Sequence, residues 1–308
     1  MATPRYKLVD NTTALGYHLV SSCVRRAWLC GFDKRTGRDY SHRKRWLVER
    51  MLCLARCFAV EVDAYAVMSN HFHLVVHYDP KACEGWSDEE VAARWVDAFP
   101  PRERGLVAEE RKPEARELML GDPVRLEKAR RTLGSLSCFM KHLKQPIARR
   151  ANEEDGCKGH FFEQRFYSGA LLSEKAVIAA MAYVDLNPVR AKLARRLSQC
   201  KHTSIRARLL ENSPTALADF IRPLASGLTR KREASHAHPS PRLGLTLATY
   251  IERLETVVEA EVATDREDRW IAEIQSLARR RRAYGSKAQL ERWMANRGLR
   301  RRIEPLPA

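Results

Sequence analysis

The sequence predicts an α+β protein in which helices pack on an antiparallel sheet, followed by a helical and basic C-terminal extension. Three short runs rich in β-branched and aromatic residues are typical of strands, and they lie at 17–23, 60–67 and 72–77. Between the first two, apolar residues recur at roughly 3.6-residue spacing, which is typical of an amphipathic helix. Lys and Arg are dense in the helical patterns after residue 243.

The N-terminal elements follow one another with clear boundaries. The first strand, 17–23, comes after a polar Asn-Thr-Thr stretch. Ser41 is a plausible N-cap for the helix that follows, which opens with a basic turn. The runs 60–67 and 72–77 flank a short turn, so we expect them to pair as a hairpin.

The middle of the chain reads as mostly helical. The segment 79–123 contains short helical patterns separated by prolines and is interpreted as an insertion. A long helix is predicted over 124–152, with a kink or the start of a new turn at Pro146, because proline removes a backbone donor and clashes with the preceding turn. After a glycine-punctuated turn, another helix opens at Ser173 and ends at Asn187, the residue before a proline.

These patterns predict a main domain and an appendage. The domain spans 1–202, with the helical insertion at about 80–123; a linker follows at 203–243 and a helical basic tail at 244–308. Between Arg279 and Arg302 there are ten Lys or Arg and one acid, Glu291. Such a segment suits a phosphate backbone, or it is simply a solvated tail, and the sequence leaves both interpretations open.

Composition narrows the class of partner. Among 308 residues, 55 Lys and Arg face 38 Asp and Glu, which leaves a formal charge of +17. This balance favours a polyanionic partner, nucleic acid before an anionic membrane. The eight cysteines form no CxxC pair and are typical of thiols in a reducing compartment. With no signal-peptide pattern and no apolar window long enough for a membrane span, we expect a cytoplasmic protein.

The main chemical signal is His71-Phe72-His73 in the third strand. Alternation along a strand puts His71 and His73 on one face and Phe72 on the other. Two imidazoles at i and i+2 can present nitrogens to one divalent ion. The other interpretation is two half-exposed polar residues, and a second such pair, His236 and His238 in a polar segment, shows how weak the bare pattern is.

Three stretches together resemble a known family. They read AYAVMSNHFHLVV (64–76), GHFFEQRFYSGALL (159–172) and AYVDLNPVRAKLA (182–194). In this order they are similar to the HUH-type single-tyrosine transposases of insertion sequences, in the REP-associated group. The resemblance covers roughly 15–200. It implies a ferredoxin-like or RRM-like domain, often a homodimer, that binds single-stranded DNA at hairpins and cleaves and transfers a strand in DNA transposition.

The resemblance also implies particular site residues. His71 and His73 match the two histidines that hold a divalent ion, Mg or Mn, in the family, and Asn152 would supply a third ligand. The nucleophilic tyrosine of the family is missing, since no tyrosine lies between Tyr78 and Tyr167. The basic residues implied to face DNA are Lys141, Lys144, Arg149, Arg150, Arg165 and Arg190.

Three explanations for the missing tyrosine remain open. Tyr167 could serve as a substitute nucleophile, while Tyr183 is expected to pack in the core with its hydroxyl bonded. The metal could activate water and make a nuclease without a covalent intermediate. The chain could instead be an inactive or domesticated hairpin-binding protein. Outside DNA chemistry, a metal-dependent hydrolase of a small phosphorylated substrate would leave the basic tail unexplained.

Overall fold

The computed structural model describes residues 4–24, 30–34, 36–163, 165–210, 243–263 and 269–299. The strands, numbered in chain order, are β1 Leu15–Ser22, β2 Phe32–Asp33, β3 Arg38–Asp39, β4 Val60–Val67, β5 His71–Tyr78, β6 Arg102–Glu103, β7 Leu106–Val107, β8 Tyr167–Leu171 and β9 Ala283–Tyr284. The helices are α1 His42–Cys57, α2 Asp88–Ala98, α3 Lys112–Leu120, α4 Pro123–Leu133, α5 Leu136–Asp155, α6 Glu174–Asp185, α7 Asn187–Arg190, α8 Ser204–Leu209, α9 Leu247–Ala263, α10 Arg269–Ser276 and α11 Lys287–Ala295.

Five strands form the main sheet in the order β4-β5-β1-β8-β9. All neighbours are antiparallel except β8 and β9, which are parallel. The predicted α+β class with an antiparallel sheet and packed helices agrees with this architecture. In the register of β1 and β5, Ser22 lies opposite His71 and Val20 opposite His73. Because directly opposed residues share a face, Ser22 and both histidines point to the same side of the sheet.

One side of the sheet, the apolar face, is covered by α1 and α5. It consists of alternate residues of β1 and β5, which join one core cluster with the buried side chains of those helices: Tyr17, Leu19, Phe72, Leu74 and Val76. Branched and aromatic side chains fill the space between sheet and helices, so this face is a packed core.

The other side, the histidine face, carries His18, Ser22, His71 and His73 and is covered by α6, against which α10 packs. Small residues line its contact with α6, including Ala64 and Ala66 of β4. The helix itself is rich in buried alanine: Ala176, Ala179, Ala180 and Ala182. Small side chains on both surfaces let helix and sheet approach closely, so the polar residues of β1 and β5 are enclosed near the end of the helix.

The long helix predicted over 124–152 is two helices. The break lies at Gly134 and Ser135, and Pro146 remains inside α5. A Cβ at Gly134 would lie 2.5 Å from Cys83 Sγ, so the close packing of this segment requires glycine. Ser135 Oγ then accepts a hydrogen bond from the backbone N–H of Cys138 and caps α5.

The C-terminal segment is built into the domain. The sequence predicts a separate tail over 244–308. In the structure, however, β9 from this segment is the fifth strand of the main sheet and pairs with β8. The Tyr250 hydroxyl of α9 donates to Asp185 Oδ2 at 2.8 Å, which ties that helix to the end of α6. Of the expected linker, 211–242 lies outside the described residues and 204–209 forms α8. In the part of the chain that the structure describes, no helix has the length and apolarity needed to cross a membrane.

Candidate functional site

A pocket of about 450 Å³ opens on the histidine face. Four segments meet there: the end of β1, the start of β5 with its preceding turn, α6, and the turn after α10. The lining residues are Ser22, Asn70, His71, His73, Tyr183, Ala278, Arg279 and Arg280. The pocket therefore joins the HxH strand to the C-terminal segment, which sequence analysis had placed in a separate unit.

The alternation of β5 puts the two histidines in this pocket. Phe72 between them is 1 % exposed and belongs to the apolar face, so burial of its ring fixes the register of the strand. A shift by one residue would bring Phe72 into the pocket and both imidazoles into the core.

Each histidine is oriented through its Nδ1 atom. His73 Nδ1 lies 2.9 Å from Nε2 of His18, a fully buried residue of β1. His71 Nδ1 lies 2.6 Å from Asn70 Oδ1. The centroids of the His71 and His73 rings are 4.8 Å apart. Both Nδ1 atoms are therefore engaged, and Nε2 is the atom that the His73 ring can offer to a ligand.

The two buried imidazoles are neutral at physiological pH. Burial, followed by the nearby Arg280 charge, lowers the pKa of His18 to about 3. Burial also lowers the pKa of His73 well below its ordinary value, and His18, His71 and Arg280 add to that effect. Each neutral ring carries one proton, so the tautomer decides whether it donates or accepts in the pocket.

The hydrogen-bond network favours one tautomer of the pair. His18 Nδ1 is buried and has no hydrogen-bond partner among the described residues. A buried N–H without a partner is rarer than an unpaired acceptor, so we assign the His18 proton to Nε2, which then donates to His73 Nδ1. The His73 proton must therefore be on Nε2. This assignment makes His73 a hydrogen-bond donor toward the pocket.

Tyr183 of α6 forms another wall of the pocket. Its ring centroid lies 5.6 Å from those of both His18 and His73. The guanidinium of Arg190 lies over the same ring, 5.0 Å from its centroid. The residue is half-buried, and the hydroxyl makes no hydrogen bond within the described chain. The expectation that this hydroxyl is bonded within the core is therefore not met.

The two pocket arginines come from the turn after α10. Arg280 adopts a left-handed backbone (φ 47°, ψ 59°), which costs a non-glycine residue on the order of 1 kcal/mol. The Tyr284 hydroxyl accepts from the backbone N–H of Arg281 at 2.9 Å, and the Tyr167 hydroxyl donates to the Arg281 carbonyl oxygen. The buried Tyr284 and the half-buried Tyr167 thus hold the turn in the conformation that brings Arg279 and Arg280 to the histidines.

Gly169 of β8 makes this arrangement possible. A Cβ there would lie 2.3 Å from the Tyr167 hydroxyl oxygen and 2.9 Å from the Arg281 carbonyl oxygen. The turn can pack against β8 only because position 169 lacks a side chain.

The electrostatics of the pocket favour an anion. Arg279 and Arg280 are exposed on its rim, and no acidic residue is among those that line it. A planar guanidinium matches the oxygens of a phosphate group, and His73 Nε2–H and Ser22 Oγ–H add neutral donors.

The donor set does not fit the divalent cation that the resemblance implies. Mg²⁺ and Mn²⁺ prefer oxygen ligands, and the described residues contain no group of three His, Cys, Asp or Glu side chains placed to bind a metal. If His73 Nε2 directed a lone pair at a metal, the His73 proton would be on Nδ1 and would be donated to His18 Nε2. The His18 proton would then be on Nδ1, where it is buried without a partner. Leaving that donor unpaired costs about 1–3 kcal/mol.

Tyr167, the predicted substitute nucleophile, does not line the pocket. Burial raises the pKa of its hydroxyl well above the ordinary value, and the neighbouring Tyr284 adds to the effect. The hydroxyl is bonded to the Arg281 carbonyl oxygen and lies 2.8 Å from that of Tyr284. These contacts give Tyr167 a role in supporting the turn.

Asn152, the predicted third ligand, also lies outside the pocket lining. Its side-chain amide donates to the Gly159 carbonyl oxygen at 2.9 Å, which closes the turn after α5. The structure therefore does not bring Asn152 together with His71 and His73.

The six predicted DNA-contacting residues are dispersed. Lys144 donates to the Glu163 carbonyl oxygen at 2.9 Å, and Arg150 stacks on Trp46 at 3.8 Å. Lys141, Arg149 and Arg165 are exposed. Four of the six (Lys141, Lys144, Arg149 and Arg150) are on α5, which covers the apolar face. Only Arg190 adjoins the pocket, through the Tyr183 ring.

Sequence reasoning did not assign His18, Ser22, Arg279 and Arg280 to the site. The run YHLVSSC gave a signal, because a histidine in a strand next to an HxH strand can share its face. For the arginines the sequence showed only that the segment 279–302 is basic. Their place beside the histidines depends on a two-residue parallel strand that joins distant parts of the chain.

No protein-family model matches the chain. No curated protein matches it either. Among solved structures, the chain is similar to a REP-associated tyrosine transposase bound to a REP hairpin, with 12% identity and a TM-score of 0.40, covering 69% of this chain and 87% of that chain. The likeness is a distant structural one.

Proposed function

We propose that the protein binds DNA with a backbone phosphate in the pocket of the histidine face and acts as a transposase-like protein on single-stranded hairpin DNA. The observation that carries this proposal is the convergence of Arg279 and Arg280 on His73 Nε2–H in a pocket lined by no acid. The formal charge of +17 supports a polyanionic partner.

A single strand suits the pocket better than a duplex. His73 is only 2 % exposed, so a phosphate must enter below the rim to reach it. A flexible strand can turn one phosphodiester inward, whereas a duplex holds its phosphates on a regular surface. The half-buried Tyr183 ring also offers a surface against which a sugar or base can pack.

The strand order supports the ferredoxin-like arrangement that the resemblance implies. The four long strands follow the chain as β1, β4, β5 and β8, with α1 after the first and α5 before the last. Their order in the sheet, β4-β5-β1-β8, is that of a ferredoxin-like βαββαβ unit. The insertion α2–α4 and the strand β9 are additions to it.

In this proposal the pocket residues have separate tasks. Arg279 and Arg280 hold the non-bridging oxygens of the phosphate, and His73 Nε2–H donates to one of them. Such donors stabilise the negative charge that develops on phosphate oxygens during cleavage, because they are already positioned by the fold. His18 keeps His73 in the donating tautomer.

Two finer predictions accompany the proposal. Mg or Mn at His71 and His73 stays a prediction, which requires that DNA oxygens complete the ligand set and that the His73 proton move to Nδ1. Assembly as a homodimer also stays a prediction.

The test is fluorescence anisotropy with a labelled DNA hairpin that carries single-stranded flanks, first in EDTA at low salt. We expect binding that weakens steeply with salt, stronger than binding to a blunt duplex of equal length. The variant Arg280→Ala should bind at least about tenfold more weakly, since a charge-assisted contact contributes roughly 1.5–3 kcal/mol. Absence of binding by the wild-type protein at low salt would overturn the proposal.

A metal titration distinguishes the two interpretations of His71 and His73, as part of an anion site or as ligands of a metal ion. Calorimetry of the protein alone with Mn²⁺ should show no stoichiometric binding, because the His73 Nε2 atom carries a proton. One-to-one binding that His71→Ala abolishes would support the metal prediction instead.

A further inference from the structure

We propose that Tyr183 is the nucleophile of the site and that its phenolic oxygen attacks the phosphate held by Arg279 and Arg280. The inference rests on the proposed function, since it needs a DNA phosphate in the pocket. It assigns the missing nucleophile to α6, on the opposite side of the sheet from α5.

A survey of the tyrosines leads to this residue. All nine lie in the described part of the chain, and Tyr183 is the one that lines the pocket. The hydroxyls of most of the others are held by hydrogen bonds within the protein: Tyr17, Tyr78, Tyr167, Tyr250 and Tyr284. Tyr183 has no hydrogen-bond partner for its hydroxyl among the described residues, so a nucleophilic role would break no structural contact.

The surroundings of Tyr183 suit this role. Its ring is held between the imidazoles of His18 and His73 and the Arg190 guanidinium, so the ring cannot turn freely. The arginines that line the same pocket place the electrophile beside it. A positioned nucleophile and a positioned phosphate in one recess are what an in-line displacement requires.

The end of α6 is rigid as well. Asp185, two residues after Tyr183, is fully buried and accepts hydrogen bonds from Ser204 Oγ at 2.5 Å, Ile205 N–H at 2.7 Å and Tyr250 Oη–H at 2.8 Å. This network anchors the helix end that carries Tyr183 to α8 and α9. Buried polar networks of this kind fix one backbone arrangement.

The chemical step is balanced without another reactant. The bond from Tyr183 Oη to phosphorus forms while the bond from phosphorus to the 3′ oxygen breaks. The departing strand leaves as a 3′ hydroxyl, and the phenolic proton passes through pocket water to that oxygen. The product is a 5′-phosphotyrosine link, and a 3′ hydroxyl can reverse the step and rejoin a strand.

The experiment uses the full chain with a library of end-labelled single-stranded hairpin oligonucleotides that have randomised flanks. Adducts are detected on denaturing gels with Mg²⁺, with Mn²⁺ and with EDTA, and the modified residue is located by mass spectrometry. The variants are Tyr183→Phe, Tyr167→Phe and, as a matched control on the exposed N-terminal segment, Tyr6→Phe. Hairpin binding is measured for each by anisotropy, and folding by circular dichroism.

We expect a wild-type adduct at Tyr183 that Tyr183→Phe abolishes, at least a hundredfold, while that variant still binds hairpins and stays folded. Tyr6→Phe should form the adduct normally. An adduct on another tyrosine, cleavage without adduct, or binding without cleavage in all three conditions would overturn the inference and leave the proposed function standing. Absence of binding by the wild-type protein would overturn both.

Discussion

The two faces of the sheet use the same strands in opposite ways. On the apolar face, Phe72 and Leu74 of β5 are sealed under α1 and α5. On the histidine face, the alternate residues His71 and His73 meet Tyr183 of α6 and the arginines of the C-terminal turn. One face is therefore a continuous core, and the other combines a small-residue core with a polar pocket at its end.

The difference between the faces indicates that α5 has a structural role in the core. The resemblance implied that DNA-contacting residues and a metal ligand, Asn152, lie on the segment that forms α5. In the structure α5 buries Leu136, Phe139 and Leu143 against the apolar face. The chemistry-bearing groups lie on the opposite side, where α6 and the C-terminal segment converge.

Paired substitutions in β5 give the largest contrast between the faces. Phe72→Ala should lower the free energy of unfolding by about 3–5 kcal/mol, because it opens a cavity in the packed core. His71→Ala, on the neighbouring half-buried position, should change it by less than about 1 kcal/mol while weakening hairpin binding. Urea unfolding followed by circular dichroism measures both, and equal losses would contradict the division into faces.

The next largest expected effect is a loss of folding stability at acid pH. The His18 pKa is about 3 in the fold and near 6.5 when unfolded, so the unfolded chain binds more protons between these values. Stability from this residue is complete above pH 6.5 and declines as pH falls, by up to about 1.4 kcal/mol per pH unit. Between pH 7 and pH 5, the free energy of unfolding of His18→Gln should fall less than that of the wild-type protein. An equal fall would contradict a buried, neutral imidazole at position 18.

A smaller effect is expected from the tyrosines that support the turn. Tyr284→Phe leaves the half-buried Arg281 N–H without this acceptor, which should cost about 1–2 kcal/mol of unfolding free energy. Hairpin binding should weaken severalfold because Arg279 and Arg280 lose their fixed position. Tyr6→Phe, a change on the exposed N-terminal segment, should stay within about 0.5 kcal/mol of wild type in thermal unfolding. Unchanged hairpin binding by Tyr284→Phe would show that the turn is held without this hydroxyl.

Much of the fold was predictable from local pattern. Strand alternation in β1, β4 and β5 and the 3.6-residue spacing of α1 gave the central elements and the common face of His71 and His73. Ser135 and Gly134 break the helix predicted over 124–152, because tight packing on Cys83 is a tertiary effect that propensity does not show.

The site was predictable only in part, for a related reason. The HxH strand carries its own signal, whereas the pocket also needs contacts between distant residues: His18 with His73, and the 277–281 turn with Tyr167. Tyr183 was expected to pack in the core because it belongs to the AYVDLNP motif. In the structure Tyr183 lies at the end of α6, where the contact of small residues between helix and sheet gives way to the pocket. This position depends on how the helix packs on the sheet.

The central claim is that DNA phosphate is bound on the histidine face. The most direct test compares the salt dependence of hairpin binding for Arg279→Ala/Arg280→Ala with that for Arg149→Ala/Arg150→Ala on α5. For single strands each neutralised phosphate contributes about 0.7 to the slope of log affinity against log salt. We predict that the first variant lowers the slope by about 1.4 and that the second leaves it near the wild-type value. A lower slope only in the α5 variant would contradict this account and place the DNA over the apolar face.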